Sequence, residues 1–334
     1  MSFPIITDYL QAMRNATSRF ATLDVRPDLD SKGAPLFFAG NFAAVFRVRL
    51  GDTDEKVALK FFTRDIPDLV KRHAVISRVT RDPKARYFVN VRMLPGEVYV
   101  NSKIADSGEY PVVVMPWIES KTLLAAIQRF CDNGNRKAMA ALTRAWANLC
   151  LDMLARGIAH GDLKHDNVLL TSDGQLRLID YDSLYAPPLK GLRSVLLGGA
   201  NYQHPGRDTR HFDRTLDHFS MLVIALSLRA LTFEPELFAD FNTGENIIMS
   251  HPDFVSMVPT GVIRRLQQSP DALVRDWTAR LFKTCRSNSI AVAGLDRILQ
   301  DARTVTDAPR KSAGGGSFFL SRLFFHDAAE RMSA

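Results

Sequence analysis

The strongest constraint on the fold is a polar segment, residues 160–167, that lies between a predicted helix and a predicted hairpin. Residues 136–155 have long helical apolar periodicity, and an Arg-Gly pair follows them as a typical helix stop. Apolar runs on either side of an Asp-Gly pair predict a tight hairpin over residues 168–179. Because a hairpin brings its two ends together, the residues just before and just after it should lie side by side.

Polar side chains at these hairpin ends suit a phosphoryl-transfer site. Asn167 precedes the hairpin and Asp180 follows it, so both can offer oxygen atoms to magnesium, a hard cation. Asp162 is held nearby and can accept the proton of an incoming hydroxyl group. Lys164 lies on the same segment and can neutralise charge on a transferred phosphate. Phosphoryl transfer requires these residue types and a further cation for the nucleotide phosphates.

The residues before this site predict a small antiparallel sheet with one helix. Turn signals at Gly40-Asn41 and at residues 51–54 separate the first apolar runs, and a helix is expected near residues 68–79. A short helix is also expected over residues 8–20. The predicted strands are 35–38, 44–50, 57–62, 87–93, 97–101 and 112–115.

The residues after position 119 have a mainly helical pattern. Residues 216–231 are apolar on nearly every side, which predicts a central buried helix. The whole chain is 46% hydrophobic and 24% charged, so it can bury a sizeable core and is not of the disordered type. We therefore predict a fold of the α+β class.

Cysteine usage, the first residues and the net charge bear on the compartment and the partners. Cys131, Cys150 and Cys285 are far apart and lack metal-ligand spacing, which favours a reducing compartment. The first residues do not resemble a signal peptide, and no stretch is apolar enough to span a bilayer as a helix. We therefore expect a cytoplasmic protein. The net charge of +7 permits an acidic ligand, but we predict no nucleic-acid binding from it.

Five motifs, in the order expected, resemble those of the eukaryotic-like protein kinases. Residues 160–167, His-Gly-Asp-Leu-Lys-His-Asp-Asn, look like the catalytic loop H-R-D-L-K-x-x-N, with one change. Residues 180–182, Asp-Tyr-Asp, occupy the place of D-F-G, and residues 57–60 resemble the V-A-I-K strand. Residues 40–45 resemble a reduced Gly-rich loop, and Asp217 matches the aspartate that braces the catalytic loop. The resemblance implies a bilobal fold with a small antiparallel-sheet N-lobe and a mainly helical C-lobe.

The resemblance also assigns roles to individual residues by their positions. Lys60 would bind the α- and β-phosphates of ATP, and Lys164 would contact the γ-phosphate. Asp162 would be the catalytic base, and Asn167 and Asp180 would hold Mg²⁺. Around the nucleotide, the resemblance implies Gly40 near the phosphates and Met115 as gatekeeper. Adenine would contact Pro116 and Ile118 of the hinge, and its ring would lie between Val45, Ala58 and Leu169. His160 and Asp217 would be structural residues.

Several positions depart from the family pattern. Gly161 replaces the arginine that pairs with a phosphorylated activation loop, so we expect no need for that switch. The helix after Lys60 has no glutamate to pair with this lysine. Asp182 replaces a glycine, and we interpret it as a solvated side chain rather than a further metal ligand. His165 and Asp166 are expected at the loop surface.

The resemblance covers about residues 35–300 and suggests the organisation of the chain. We predict four parts: an N-terminal helical extension (1–33), the kinase N-lobe and hinge (34–118), the kinase C-lobe (119–305) and a Gly-linked aromatic tail (306–334). The tail contains many large apolar side chains, and we expect it to dock on its own C-lobe, on another chain or at a membrane surface.

The leading functional hypothesis is an ATP-dependent serine/threonine protein kinase, which Lys164 and Asp217 favour. A small-molecule kinase resembling aminoglycoside or choline phosphotransferases is an alternative, because the H-G-D loop with Gly161 is frequent among those enzymes. A nucleotide-binding pseudokinase is a third, favoured by the missing helix glutamate.

Residues 178–182 and 201–205 also look like a bacterial subgroup of these kinases. Such kinases can be encoded beside a metal-dependent protein phosphatase and a von Willebrand A-type protein. We therefore expect a role in bacterial signalling, with a protein substrate and those two proteins as partners.

Overall fold

The amino-terminal part is built on a curled antiparallel sheet. The computed structural model describes residues 2–40, 42–51, 53 and 55–308. Within them the sheet has six strands in the order β1-β3-β4-β6-β5, and β2 pairs with the start of β3. Its strands are β1 (Val25–Pro27), β2 (Phe37–Ala39), β3 (Ala43–Leu50), β4 (Lys56–Phe62), β5 (Arg92–Val100) and β6 (Gly108–Pro116).

A helix packs on each face of this sheet. Because side chains alternate along a strand, Phe61 and Phe62 of β4 point to opposite faces. Phe61 packs with Tyr9 of helix α1 (Ile6–Arg14), which lies on one face. Phe62 faces helix α2 (Leu69–Thr80) on the other side, and Lys60 shares that side because it lies two residues earlier. The sheet therefore points Lys60 toward the rest of the molecule.

The carboxy-terminal part is mainly helical and also contains a small three-stranded sheet. That sheet has the order β7-β8-β9, and its last two strands form the predicted hairpin. The strands are β7 (Ser120–Thr122), β8 (Val168–Thr171) and β9 (Leu176–Leu178). The helices are α3 (Leu123–Asp132), α4 (Arg136–Arg156), α5 (His218–Phe233), α6 (Glu236–Phe241), α7 (His251–Val255), α8 (Gly261–Gln267), α9 (Ala272–Cys285) and α10 (Leu295–Arg303).

Helix α5 is the centre of this helical part. Every residue from Phe219 to Phe233 is buried, as its apolar sequence predicts. Its one arginine, Arg229, is buried with the carboxylate of Asp271, whose oxygen accepts a hydrogen bond at 2.7 Å. Helix α4 packs alongside, and its Trp146 indole donates to the carbonyl oxygen of Met221, 3.2 Å away.

The predicted α+β class is confirmed, with corrections to individual elements. The strand predicted at 87–93 is wrong over residues 87–91, which lie before β5. Its last two residues and most of the strand predicted at 97–101 belong to one strand, β5, whose register shifts between Leu94 and Val98. Strands β1 and β7 were not expected, because three residues are too few to show a period of two. The expected turn residues at 41, 52 and 54 and the aromatic tail from 309 onward lie outside the described residues.

Among the described residues, no helix has both the length and the apolar character needed to cross a lipid bilayer.

Candidate active site

The hairpin brings the two predicted metal ligands together. Val168 pairs with Leu178, and the amide of Ile179 donates to the carbonyl oxygen of Asn167 at 3.1 Å. Asp180 follows directly with a φ of 68°, a left-handed conformation that turns its side chain away from the strand direction. Asn167 and Asp180 therefore emerge from adjacent points at the open end of β8 and β9.

Asp217 holds the backbone of the predicted catalytic loop through two hydrogen bonds. One carboxylate oxygen accepts the amide of Gly161 at 2.8 Å, and the other accepts the amide of His160. Both His160 and Asp217 are fully buried, and the His160 ring bonds the carbonyl oxygen of Ile179 at 2.9 Å. Burial raises the pKa of the Asp217 carboxyl group, although the two amides act in the opposite direction. The first two residues of the loop, His160 and Gly161, are therefore fixed by hydrogen bonds.

Asp162 is fixed by two neighbours and is partly open to solvent. The side-chain nitrogen of Asn167 donates to the Asp162 carbonyl oxygen at 2.8 Å and to its carboxylate at 3.1 Å. The amide of Gly199 donates to the other carboxylate oxygen at 2.9 Å. Because the Asn167 nitrogen donates to Asp162, its amide oxygen is the atom that can serve a cation. Lys164 is half-buried on the same loop, 3.8 Å from a carboxylate oxygen of Asp166.

Lys60 carries the ion pair that connects the sheet to the hairpin. Its ammonium nitrogen lies 2.6 Å from Asp180 and 2.7 Å from Asp182. Burial alone lowers the pKa of Lys60, but the two carboxylates outweigh it and hold the pKa above its ordinary value. Lys60 is therefore a fixed cation. Burial raises the pKa of Asp182, whereas Lys60 overcomes burial at Asp180 and lowers the pKa there.

The position of Asp182 corrects one expectation from sequence. We interpreted Asp182 as solvated, but its residue is only 8% exposed and its carboxylate is paired with Lys60. His165 was also expected at the surface, yet it is buried and its ring bonds the hydroxyl group of Tyr202. Asp166 is exposed, as its loop position suggested. Charge composition alone could not reveal that β4 would bring a lysine onto Asp182.

One face of the sheet holds the residues predicted to surround a nucleotide base. Val45 pairs with Lys60 and Met115 pairs with Ala58, so all four side chains lie on the face that carries Lys60. Leu169 is half-buried on β8.

The predicted hinge and the Gly40 turn lie at the two ends of this face. Pro116 ends β6 as an exposed residue, and Ile118 follows two residues later, half-buried. The amide of Trp117, between them, donates to the carbonyl oxygen of Lys56 at 3.0 Å, which fixes the chain there. Gly40 lies in the turn between β2 and β3, where its amide donates to the carbonyl oxygen of Ala43 at 2.8 Å.

A buried arginine beside the catalytic loop was missed by the sequence analysis. Arg207 donates to the carbonyl oxygen of Gly161 at 2.9 Å and to that of Leu196 at 3.3 Å. It also reaches the hydroxyl group of Ser194 at 3.4 Å. Arg207 therefore ties the segment after Asp182 to the loop. No local sequence pattern marks Arg207, although Gly161 already shows that this loop departs from the family pattern.

The donor set suits magnesium rather than a transition metal. Within the described part of the chain, no three His, Cys, Asp or Glu side chains group together as a metal cage. Asn167 and Asp180 offer one amide and one carboxylate oxygen, and Mg²⁺ in phosphate-handling sites takes few protein ligands and completes its shell with water and phosphate. These residues therefore fit Mg²⁺ bound together with a nucleotide.

Comparison with known proteins finds distant similarity to protein kinases. No family model matches the chain. It is 28% identical over 174 residues to CBL-interacting serine/threonine-protein kinase 24 of Arabidopsis thaliana, which covers 50% of this chain and 36% of that protein. It is 26% identical over 156 residues to CBL-interacting protein kinase 12 of Oryza sativa subsp. japonica, covering 44% of this chain and 26% of the relative.

The matched region is thus about a third or less of the length of these curated relatives. A curled antiparallel sheet followed by a helical part, together with this distant similarity, is consistent with a protein-kinase-like fold.

Proposed function

We propose that the protein is an ATP-dependent protein kinase that transfers the γ-phosphate of ATP to serine or threonine hydroxyl groups of a protein. The observation that carries this proposal is the Lys60–Asp180 ion pair, at 2.6 Å, which joins the sheet to the hairpin. Asp180 lies beside Asn167, and Asn167 is bonded to Asp162. In this proposal a phosphate-binding cation, two metal ligands and a base therefore lie next to one another.

Each residue has a defined task in this proposal. Lys60 binds the α- and β-phosphates, and Asn167 and Asp180 hold Mg²⁺. When bound there, Mg²⁺ would neutralise charge on the phosphates. Asp162 accepts the proton of the substrate hydroxyl group, and Lys164 offsets negative charge on the transferred phosphoryl group.

The adenine contacts, the two-lobe division and the cellular role belong to the same proposal. The base would lie between Val45, Ala58 and Leu169, with Met115 behind it and the Pro116 carbonyl and Ile118 amide at its edge. Gly40 would lie over the phosphates. The proposal also includes domain boundaries at 34, 119 and 306 and a cytoplasmic location. It further includes a role in bacterial signalling, with a phosphatase and a von Willebrand A-type protein as partners.

A small-molecule kinase is the second candidate, and Gly161 is the feature that favours it. The acceptor in that case is the hydroxyl group of an aminoglycoside or of choline. Lys164 favours the protein kinase, because the small-molecule enzymes usually lack a lysine there. A pseudokinase would bind nucleotide without transfer.

Labelled ATP and magnesium, with and without host lysate, separate these candidates. We expect label on a protein, and we expect it to be lost in Asp162→Ala and Asp180→Ala. Loss of the base should reduce the rate by about a hundredfold to ten-thousandfold. Asp180→Ala should also weaken binding of the magnesium–nucleotide complex. Asp173→Ala, at the exposed hairpin turn, is the matched control and should behave as wild type.

Labelled aminoglycoside or choline instead of protein would support the second candidate, and nucleotide binding without transfer would support the pseudokinase. Wild-type rates in both active-site variants would contradict the assigned roles.

A further inference from the structure

The two carboxylates that contact Lys60 differ in their access to solvent. The Asp180 side chain is 43% exposed, whereas that of Asp182 is 7% exposed. Both lie within hydrogen-bond distance of the same ammonium nitrogen, at 2.6 and 2.7 Å. Asp180 can therefore turn toward a bound cation without disturbing a packed environment. Asp182 cannot, because the protein surrounds it.

Helix α2 provides no carboxylate for Lys60. Its sequence from Leu69 to Thr80 contains no Asp or Glu. The side chain that α2 places near this lysine is His73, whose ring lies 5.5 Å from that of Phe62, and Lys60 lies 5.9 Å from the same Phe62 ring. His73 is buried, and its Nδ1 atom has no hydrogen-bond partner. Burial, and secondarily Lys60, lowers the pKa of His73 to about 3, so the imidazole is neutral.

We propose that Asp182 is the positioning residue for Lys60, and that it holds the lysine in place while Asp180 binds the metal. This inference rests on the proposed function, because it assigns Asp180 to magnesium. The partner of the phosphate-binding lysine would thus lie on the segment that carries the metal ligand Asp180, and not on helix α2. The site then needs no carboxylate from α2, and Lys60 and the metal ligand are aligned by one short stretch of chain.

Removal of Asp182 has a specific consequence in this arrangement. Lys60 would keep Asp180 as its one carboxylate, so lysine and magnesium would compete for the same oxygen atoms. The expected defect is therefore weaker binding of nucleotide and a higher magnesium requirement, rather than a slower proton transfer. Outer-shell partners of this kind are worth about a tenfold to a hundredfold in affinity or activity.

The first experiment measures ATP turnover by the full chain with Asp182→Asn, which preserves the shape of the side chain. We expect kcat/KM for ATP to fall by about tenfold to a hundredfold, carried mostly by KM, and the half-saturating magnesium concentration to rise. Asp182→Gly should show the same defect. His73→Glu added to Asp182→Gly returns a carboxylate from α2 and should recover part of the loss. Unchanged KM and magnesium dependence in Asp182→Asn would overturn the inference.

A second experiment does not depend on turnover. A double-mutant cycle of unfolding free energy, without nucleotide, combines Lys60→Met with Asp182→Asn. The two changes should be strongly non-additive, because Lys60→Met alone leaves the buried Asp182 carboxylate without its cation, a cost that is absent once Asp182 is also replaced. The control pair is Lys56 and Glu119, 2.7 Å apart at the surface, for which the changes should add. If the two changes are coupled but the wild type does not turn over ATP, the proposed function is rejected and the Lys60–Asp182 pair stands. If the two changes are additive, the role of Asp182 as the positioning residue is rejected.

Discussion

The guanidinium group of Arg207 donates a hydrogen bond to the carbonyl oxygen of Gly161, 2.9 Å away, inside the predicted catalytic loop. Gly161 itself has no room for a side chain. Its φ is +84°, and a methyl group added there would lie 2.2 Å from the carbonyl oxygen of Ser183. The arginine expected in this loop is therefore excluded by the backbone that follows Asp182. A different arginine approaches the same loop from position 207.

The first prediction compares two glycines that share a left-handed backbone. Gly161→Ala and Gly191→Ala both place a side chain at positive φ, which costs about 1–2 kcal/mol. Gly191 has a φ of +92° and open space around it, so this cost is all that we expect there. Gly161→Ala should lose at least a further ~1–3 kcal/mol, because the new methyl group overlaps main-chain atoms. Urea unfolding of both variants measures the difference, and equal losses would contradict the packing described.

The second prediction concerns activation by phosphorylation. Ser183, Tyr185, Ser194 and Tyr202 should not be essential activating phosphosites. All four residues are buried, and Arg207 already bonds the Ser194 hydroxyl group without a phosphate. Phosphatase-treated protein should therefore retain most of its initial rate toward substrate. A large drop that rephosphorylation within residues 180–205 restores would show that the segment does need a phosphate.

Substitution of Arg207 provides the complementary test. Arg207→Met removes the cation but keeps much of the apolar stem, so the segment should detach from Gly161 and the rate should fall even in untreated protein. Loss of hydrogen bonds from a buried charged donor costs about 1.5–3 kcal/mol each. Arg210→Met is the matched control, because Arg210 is exposed and pairs with Asp208. Equal rates in the two variants would contradict a role for Arg207 at the loop.

Local signals predicted the elements around the site, whereas contacts between distant residues needed the structure. The Asp-Gly hairpin signal correctly predicted that β8 and β9 would pair, which leaves Asn167 and Asp180 at adjacent ends. Nothing local connects Lys60 with Asp182, 122 positions later, because this contact depends on how β4 meets the hairpin. Arg207 was missed for the same reason.

The third prediction concerns the aromatic tail, which lies outside the described residues. Six large apolar side chains follow the triple glycine, within residues 318–325. Full burial of each would gain about 1.5–3 kcal/mol, so they favour a docked state over exposure to water. Removal of residues 314–334 should leave the kinase-like fold intact and change self-association, partner binding or basal rate. Solution mass, pull-down and ATP turnover of both lengths check this, and no change in all three would reject a docking role.

The last prediction concerns the effect of His73 protonation on the pH dependence of the unfolding free energy. Its pKa falls from an ordinary value near 6.5 to about 3 on folding, chiefly because burial disfavours the imidazolium form. A group with a depressed folded pKa contributes its full stability above the unfolded pKa. That contribution is lost as the pH falls from about 6.5 toward 3, because the unfolded chain binds the proton first. The loss is about 1.4 kcal/mol for each pH unit in this window.

His73→Phe keeps an aromatic ring against Phe62 but cannot bind a proton. The unfolding free energy of the wild type should therefore fall between pH 7 and pH 5 by about 2 kcal/mol more than that of the variant. Urea unfolding at the two pH values gives both slopes, and the other buried histidines cancel because they are present in both proteins. Identical slopes would mean that His73 has the same pKa in the folded protein as in the unfolded chain. A charged His73 would also contradict the uncharged imidazole described beside Lys60.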